Sequence, residues 1–394
     1  MFQRENVENK RRISFKELES VYSDYSRQYI FSTNLEQTLV LLSYSNLFVI
    51  DEGSGLYRFT YKYLYFYLVA QELSRIVATP EGKAIVEHLC DESYKEEPAN
   101  ILLFLVYHTE NMDVVEQLVF TSMLPFEQYA PATLNRDDNI FSNLNSLISK
   151  VETKELIADK NPEEERIKAL ERRDKVSRVA SKHRLSSEDL SELEKNPEIR
   201  DLNKAIRAIK ILGQIVKNQR ANLNKDLLNN LIKETYFASF RLISFYGSLL
   251  EKGETEFKTM LEQELSADAS RVQIQESASK MFMSLLYRFS LQVFSNLTLS
   301  VGTQKANELY ERVADEIGTP AAKLITFTIK SYYGPMDISE LQTLVKEFEG
   351  NPMAMHILRA RVIKYLYTNT VTIQTKQRLG SICQLKLVYS ERKS

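Results

Sequence analysis

Hydrophobic and polar positions follow two rhythms along this chain. Through most of its length apolar residues recur every three or four positions, the period of an amphipathic helix. The spacing predicts a helix within residues 13–32, ISFKELESVYSDYSRQYIFS, and a second over LEQTLVLLSYS, capped at Thr33 or Asn34. It returns over residues 81–134 in GKAIVEHLCDES, PANILLFLVYHTE and MDVVEQLVFTSMLPFEQY. There Pro98 suits a first helical turn, and Asn111 with Asp113 suits a break and a cap. From 205 to 370 it runs through KAIRAIKILGQIVKNQ, DLLNNLIKETYFASFRLISFYGSLLEKG, SASKMFMSLLYRFSLQVFSNLTLSV, QKANELYERVADEIG and the segments near 321–332 and 338–368. Gly253, Gly318 and Gly350 fall where helix C-caps are expected. Several of these helices are apolar on more than one face, which suits a stacked array.

The rhythm breaks at residues 47–72, LFVIDEGSGLYRFTYKYLYFYLVAQE. Leu47 to Asp51 is a short apolar run, Glu52-Gly53-Ser54-Gly55 is a turn signal, and Leu56 to Tyr61 returns as a second strand. From Lys62 the pattern is helical, with no breaker before Thr79-Pro80. Two or three helices, a hairpin and another helix is the order of a small winged-helix module. Tyr61, Tyr63, Tyr65, Phe66 and Tyr67 form the densest aromatic cluster. A stacking platform for bases is one reading of it. The favoured reading is the core of a small domain, with phenol groups reaching its edge.

The expected fold class is therefore mainly α: a small winged-helix-like α+β module followed by an α-helical array. Its expected parts are a winged-helix-like module over 1–80, a helical subdomain over 81–151, a charged helical connector over 152–204, the array over 205–370, and a tail over 371–394. The connector is crowded with charge of both signs and short of large apolar residues. Asn161-Pro162 and Ser186-Ser187-Glu188-Asp189 read as helix starts in it. Within it ERRDKVSRVASKHR could be a nucleic-acid arm, but nearby acids offset its charge and favour a solvated helix face. The tail, VTIQTKQRLGSICQLKLVYS, carries β-branched residues and some alternation, and reads either as short strands or as a disordered end.

Composition supports the helical reading: 11 Gly and 9 Pro in 394 residues, both scarce as long helices require. A net charge of −2 supplies no global field toward nucleic acid or an anionic membrane. Two cysteines, Cys90 and Cys383, make no disulfide framework and suit a reducing cytoplasm. The N-terminal residues lack a signal-peptide core, and the longest apolar runs are too short to span a bilayer. The expectation is a cytoplasmic protein with no membrane partner.

Motifs for catalysis are missing from the sequence. GxxxxGK[ST] does not occur, and Gly53-Ser54-Gly55 lies between strands rather than at a helix start. Of His88, His108, His183 and His356, none forms a metal-binding pair. His88 and Cys90 would point to opposite sides of a helix. Glu163-Glu164-Glu165 fits a helix N-terminus better than acid–base chemistry. No catalytic residue and no metal ligand is assigned, and the expectation is a protein that is not an enzyme.

The text from Tyr57 to Ala70 resembles the end of the winged-helix domain in the signal-transducing NTPases called STAND proteins. Their phrase is close to y-x-F-x-H-x-x-x-x-E-Y-x-x-A. Phe59, Tyr67 and Ala70 fit it, while Tyr61 stands for the histidine and Phe66 for the acidic residue. In the NACHT branch that histidine contacts bound ADP, so the resemblance makes Tyr61 the candidate nucleotide-side residue. A tyrosine can donate a hydrogen bond to a phosphate but cannot carry imidazole's charge. A looser similarity to C-terminal helical regions of bacterial STAND proteins covers 101–134 and 206–247. The resemblance implies the winged helix and helical sensor of such a protein, often one of antiphage defence. ATP or ADP and magnesium would then belong to an NTPase core on the same or a separate chain, and this chain would be a fragment or a split gene product. Partners would be that upstream NTPase and effector region and a protein ligand of unknown identity.

Two other readings compete. One is a helical scaffold for protein partners, unrelated to NTPases. The other is a DNA-binding winged helix, whose recognition helix, Leu35–Ser45, contains no Lys or Arg. That composition argues against nucleic acid.

Overall fold

The computed structural model describes residues 12–30, 33–51, 53–109, 111–123, 126–137, 195–264 and 269–388, with 155–157 and isolated positions between 163 and 171. The protein is mainly α, with a small three-stranded antiparallel sheet near its N-terminus. Contacts divide the chain into two compact units, Met1–Val114 and Val115–Ser394.

The first unit begins with β1 (Arg12–Ile13) and α1 (Phe15–Gln28). Ser14 starts α1 by a capping box: its hydroxyl accepts from the Glu17 N–H at 3.3 Å, and the Glu17 carboxylate accepts from the Ser14 N–H at 2.9 Å. Asn34 caps α2 (Leu35–Tyr44), its side-chain oxygen accepting the Gln37 N–H at 2.7 Å. The chain leaves α2 through Asn46 at φ 52°, a left-handed conformation that asparagine tolerates well. It then forms β2 (Phe48–Ile50) and β3 (Tyr57–Phe59). At the turn, the Asp51 N–H donates to the Leu56 carbonyl at 2.9 Å, and Gly55 takes φ 66°, where a side chain would be strained.

The sheet order is β1-β3-β2, every pair antiparallel. The expected hairpin is present with strands trimmed at both ends. The third strand, β1, is new, because two residues carry no period to read. The connectivity β1-α1-α2-β2-β3 is winged-helix-like, and α3 (Lys62–Ile76) follows directly. Thr79 caps α4 (Pro80–Asp91), with Pro80 in the first turn, where its missing N–H is not needed. Next comes α5 (Glu96–His108), and α6 (Met112–Met123) spans the boundary at Val114. Asn111 accepts the Asp113 N–H at 2.9 Å ahead of α6. Helices α3, α4 and α5 pack together around Phe66, Ala70, Leu73, Leu89, Ile101 and Leu105, all buried.

The second unit is built on α7 (Pro197–Asn218), α8 (Lys225–Glu264) and α9 (Ala269–Val301), which pack on one another. At about 1.5 Å per residue, α8 is roughly 60 Å long. The helices approach closely where side chains are small. A Cβ on Gly213 of α7 would lie 2.5 Å from the Ser300 carbonyl carbon. Buried Thr235, Ser239, Ser290 and Thr298 donate to carbonyls one turn back at 2.6–2.9 Å, so they enter the core without orphaned hydroxyls. Gly213→Ala is expected to lower stability by about 1–3 kcal/mol through overpacking, less the gain of up to ~1 kcal/mol from helix propensity. Chemical denaturation checks it; an unchanged midpoint would mean that α9 can move away.

A short 3-10 turn (Gln304–Ala306) leads to α10 (Asn307–Ile317), then α11 (Pro320–Tyr333), α12 (Ile338–Glu347), α13 (Pro352–Thr368) and α14 (Ile373–Ile382). Residues 126–137 lie across this unit as a strap. The Ala132 N–H donates to the Phe240 carbonyl at 3.2 Å, the Thr133 carbonyl accepts from the Ala321 N–H at 3.0 Å, and the Leu134 carbonyl accepts from Asn351 Nδ2 at 2.7 Å. Phe126 stacks on Phe245 with ring centroids 4.0 Å apart.

Two local expectations differ from the structure. Gly318 and Gly350 adopt positive φ beyond helix ends, but Gly253 lies inside α8. There α8 packs along α9, and the open side of Gly253 faces the Phe282 ring. The tail alternation at 371–382 forms α14, capped by Thr372, with Ile373 exposed rather than in a sheet. Among the described residues of the tail β5 (Lys386–Val388) is the one strand, paired parallel with β4 (Glu155–Ile157). Apart from β4, the isolated positions named above and residues from 195 onward, the charged connector lies outside the described residues, and so do its helix starts and His183.

Candidate functional site

The hairpin and α3 position the aromatic cluster by alternation and then by helical rotation. Phe48 and Phe59 are direct cross-strand partners, with ring centroids 4.4 Å apart. Tyr65, one turn into α3, continues this stack 5.9 Å from Phe59. Phe66 is fully buried. Tyr67 turns toward α5, where it meets Phe104 and His108 edge-on at 5.8 and 4.6 Å. These three residues bind the hairpin to the helices.

Tyr61 and Tyr63 behave differently, being 62% and 51% exposed. Tyr61 is the N-cap residue of α3 in extended backbone, yet its side chain makes no capping bond. Beside it, the Thr60 hydroxyl is buried without a hydrogen-bond partner, and Lys62 pairs with Glu96 at the start of α5. A group docking here would meet a phenol donor and an ammonium at the first turn of a helix. The aromatic cluster is thus core on one side and open on the other, a division that its spacing alone does not specify.

The helix preceding the hairpin is also open. On α2, Val40, Leu41 and Tyr44 are 64%, 62% and 91% exposed, and only Leu39 is buried. No side chain of α1 is buried, and Val21 and Tyr25 on it, with Tyr29 just after its end, are exposed apolar residues. The surface where a DNA reader carries cations here carries aliphatic and phenolic groups.

The other candidate chemistry is dispersed. His88 is exposed on α4 while Cys90 faces the core. His356 meets Tyr287 edge-on at 4.7 Å, and burial lowers its pKa. The buried Cys383 thiol is pushed up to about 12 by burial, against the pull of the Arg359 guanidinium, so it is not a thiolate at neutral pH. Among the described residues no group of three or more His, Cys, Asp or Glu is placed to hold a metal, and no helix is long and apolar enough to cross a membrane.

Sequence reasoning missed two features of the second unit. One is a groove of about 490 Å³ between α12, α13 and the α14–β5 turn, lined by Lys346, Phe348, Met355, Arg359 and Gln384 among others. The other is a pair of buried arginines, Arg359 and Arg361, on α13. The available signal was Arg359-Ala-Arg361 inside an otherwise apolar helix. No protein-family model, no curated protein and no solved structure matches this chain. The fold and site thus define a class by architecture alone: a mainly α protein whose small α+β module presents apolar and aromatic groups.

Proposed function

We propose that this chain is a non-catalytic regulatory region in which the winged-helix-like module couples the helical array to another protein, as the winged helix and sensor of a STAND-type NTPase would. The observation carrying this reading is the joint layout of the first unit. A winged-helix connectivity leads straight into α3, with Tyr61 exposed at its N-terminus. Its second helix offers Val40, Leu41 and Tyr44 where a DNA reader would offer Lys and Arg. In this reading ATP or ADP and magnesium belong to the NTPase core, Tyr61 is a nucleotide-side contact, and a protein ligand is sensed by the array.

Two assays test it. The purified chain is expected to hydrolyse no ATP; turnover that a substitution in this chain abolishes would overturn the reading. It is also expected to bind duplex DNA no better than background at low salt. Binding that weakens steeply as salt rises would replace the proposal with a DNA-binding one. The exposed apolar surface of α1 and α2 also suits a scaffold for protein partners unrelated to NTPases. An upstream reading frame with GxxxxGK[ST] favours the STAND reading, and its absence favours the scaffold.

A further inference from the structure

Arg361 is a buried cation without a counter-ion among the described residues. It lies in the middle of α13, is 7% exposed, and is surrounded along that helix by buried Ile357, Leu358, Val362 and Tyr365. Its Nε donates to Ser331 Oγ on α11 at 2.8 Å. Its guanidinium carbon lies 5.7 Å from the centre of the Tyr332 ring. A hydroxyl and a ring face offset part of the desolvation of a guanidinium, but neither neutralises its charge. Among the described residues no carboxylate forms an ion pair with it, whereas the lysines of α11 are all matched. Lys323 reaches Glu347 at 2.5 Å, and Lys330 reaches Glu340 at 2.9 Å and also Glu311.

A second cation adds to the imbalance. Lys364 is three residues on, which places its Cβ about 5–6 Å from that of Arg361 on the same helix face. It too forms no ion pair among the described residues. Lys364 is solvent-exposed, but protein around its stem desolvates it in part and so lowers its pKa, and the Arg361 charge lowers it further; burial lowers that of Arg361 to about 10. Arg361 therefore still carries its proton at pH 7. A leucine or methionine at 361 would continue the apolar face of α13 with no charge to desolvate, and such replacements in proteins are often neutral or stabilising. The buried Arg361 charge, with exposed Lys364 beside it and no anion paired to either among the described residues, is therefore a standing electrostatic cost. A ligand of two negative charges removes it.

We propose that Arg361 and Lys364, with the Tyr332 ring as a wall, form a binding site for a phosphate group supplied from outside the helical array. A dianion balances the two charges, and a planar guanidinium matches phosphate oxygens in pairs. The site belongs to the second unit, whereas Tyr61 belongs to the first, and it does not depend on the NTPase reading. The same chemistry could come from free inorganic phosphate, a nucleotide or a phosphorylated side chain.

The test is thermal unfolding of the full chain at constant ionic strength in chloride, with inorganic phosphate, ATP, phosphoserine or acetate as separate additions. Phosphate is expected to raise Tm by several degrees and to saturate, because a ligand bound only by the folded state stabilises it. The apparent affinity is expected to fall about tenfold or more in Arg361→Gln and in Lys364→Gln, the latter at an exposed position that leaves the core intact. A larger shift with ATP or with phosphoserine than with phosphate identifies the source. Equal shifts in wild type and both variants, or acetate matching phosphate, would overturn the assignment. So would a phosphate-insensitive wild type, and with a lowered Tm for Arg361→Met in chloride alone it would assign Arg361 to packing.

Discussion

Alanine in place of Tyr310 is expected to destabilise the helical array by about 3–5 kcal/mol, the range for removing a large buried aromatic side chain. Tyr310 has no exposed surface. Its hydroxyl donates to the Val301 carbonyl at the end of α9 at 2.7 Å and accepts the Thr303 N–H at 3.1 Å. Its own carbonyl accepts from Thr326 Oγ1 at 3.1 Å, and that hydroxyl lies 3.1 Å from the hydroxyl of buried Tyr236 on α8. One ring therefore closes the corner where α9 hands the chain to α10. Burial raises the Tyr310 pKa, so the hydroxyl keeps its proton at any ordinary pH. Tyr310→Phe separates the two contributions. It keeps the ring but leaves Val301 O and the Thr303 N–H without their partner, at about 1–3 kcal/mol. Denaturant titration followed by circular dichroism should rank wild type, Phe and Ala in that order. An Ala variant within ~1 kcal/mol of the Phe variant would show that the corner refills.

Phe66→Ala is expected to cost about 3–5 kcal/mol within the first unit, while Tyr61→Ala changes stability by no more than about 0.5 kcal/mol. The two residues are five apart on one helix and its cap. Phe66 is fully buried and touches Tyr63 and Tyr65 at 5.8 Å, whereas Tyr61 projects outward. Tryptophan is absent from the chain, so amide hydrogen exchange over α3, α4 and α5 is the suitable probe. Phe66→Ala should accelerate exchange across all three helices, and Tyr61→Ala should leave it as in wild type. A Tyr61 variant that loosens α3 would remove the ground for treating Tyr61 as an outward contact.

Local signals carried much of the fold. Asn34, Thr79 and Asn111 act where their side chains can reach backbone N–H groups two or three residues on, a decision made within one turn of chain. The hairpin was legible for the same reason, since Gly55 and its neighbours settle the reversal among themselves. What stayed hidden depends on distant partners. β1 exists because Arg12 and Ile13 pair with Arg58 and Tyr57, and of the strand reading offered for the tail only the partner was hidden, since Lys386 to Val388 align with Glu155 to Ile157. Gly253 looks like a terminator until α9 lies beside it. At the candidate site, the type and place of Tyr61 were readable, but not that it would face solvent while Tyr65 and Phe66 faced inward. Arg361 was least readable of all, because its burial and the absence of a carboxylate beside it among the described residues are properties of the assembled helices.

The strap sets a timetable for biosynthesis. Leu134 lies in a left-handed conformation at φ 59°, unfavourable for a branched side chain, and its carbonyl waits for the Asn351 amide 217 residues later in the chain. At the usual pace of about 5–20 residues per second, that partner leaves the ribosome roughly 10–40 s after Leu134 does. Until then Phe126, Ala132 and Leu134, all buried in the finished protein, have no complete surface to cover them. The nascent chain is thus exposed to chaperones or to aggregation throughout that interval, and the strap can lock only once Asn351 has been made.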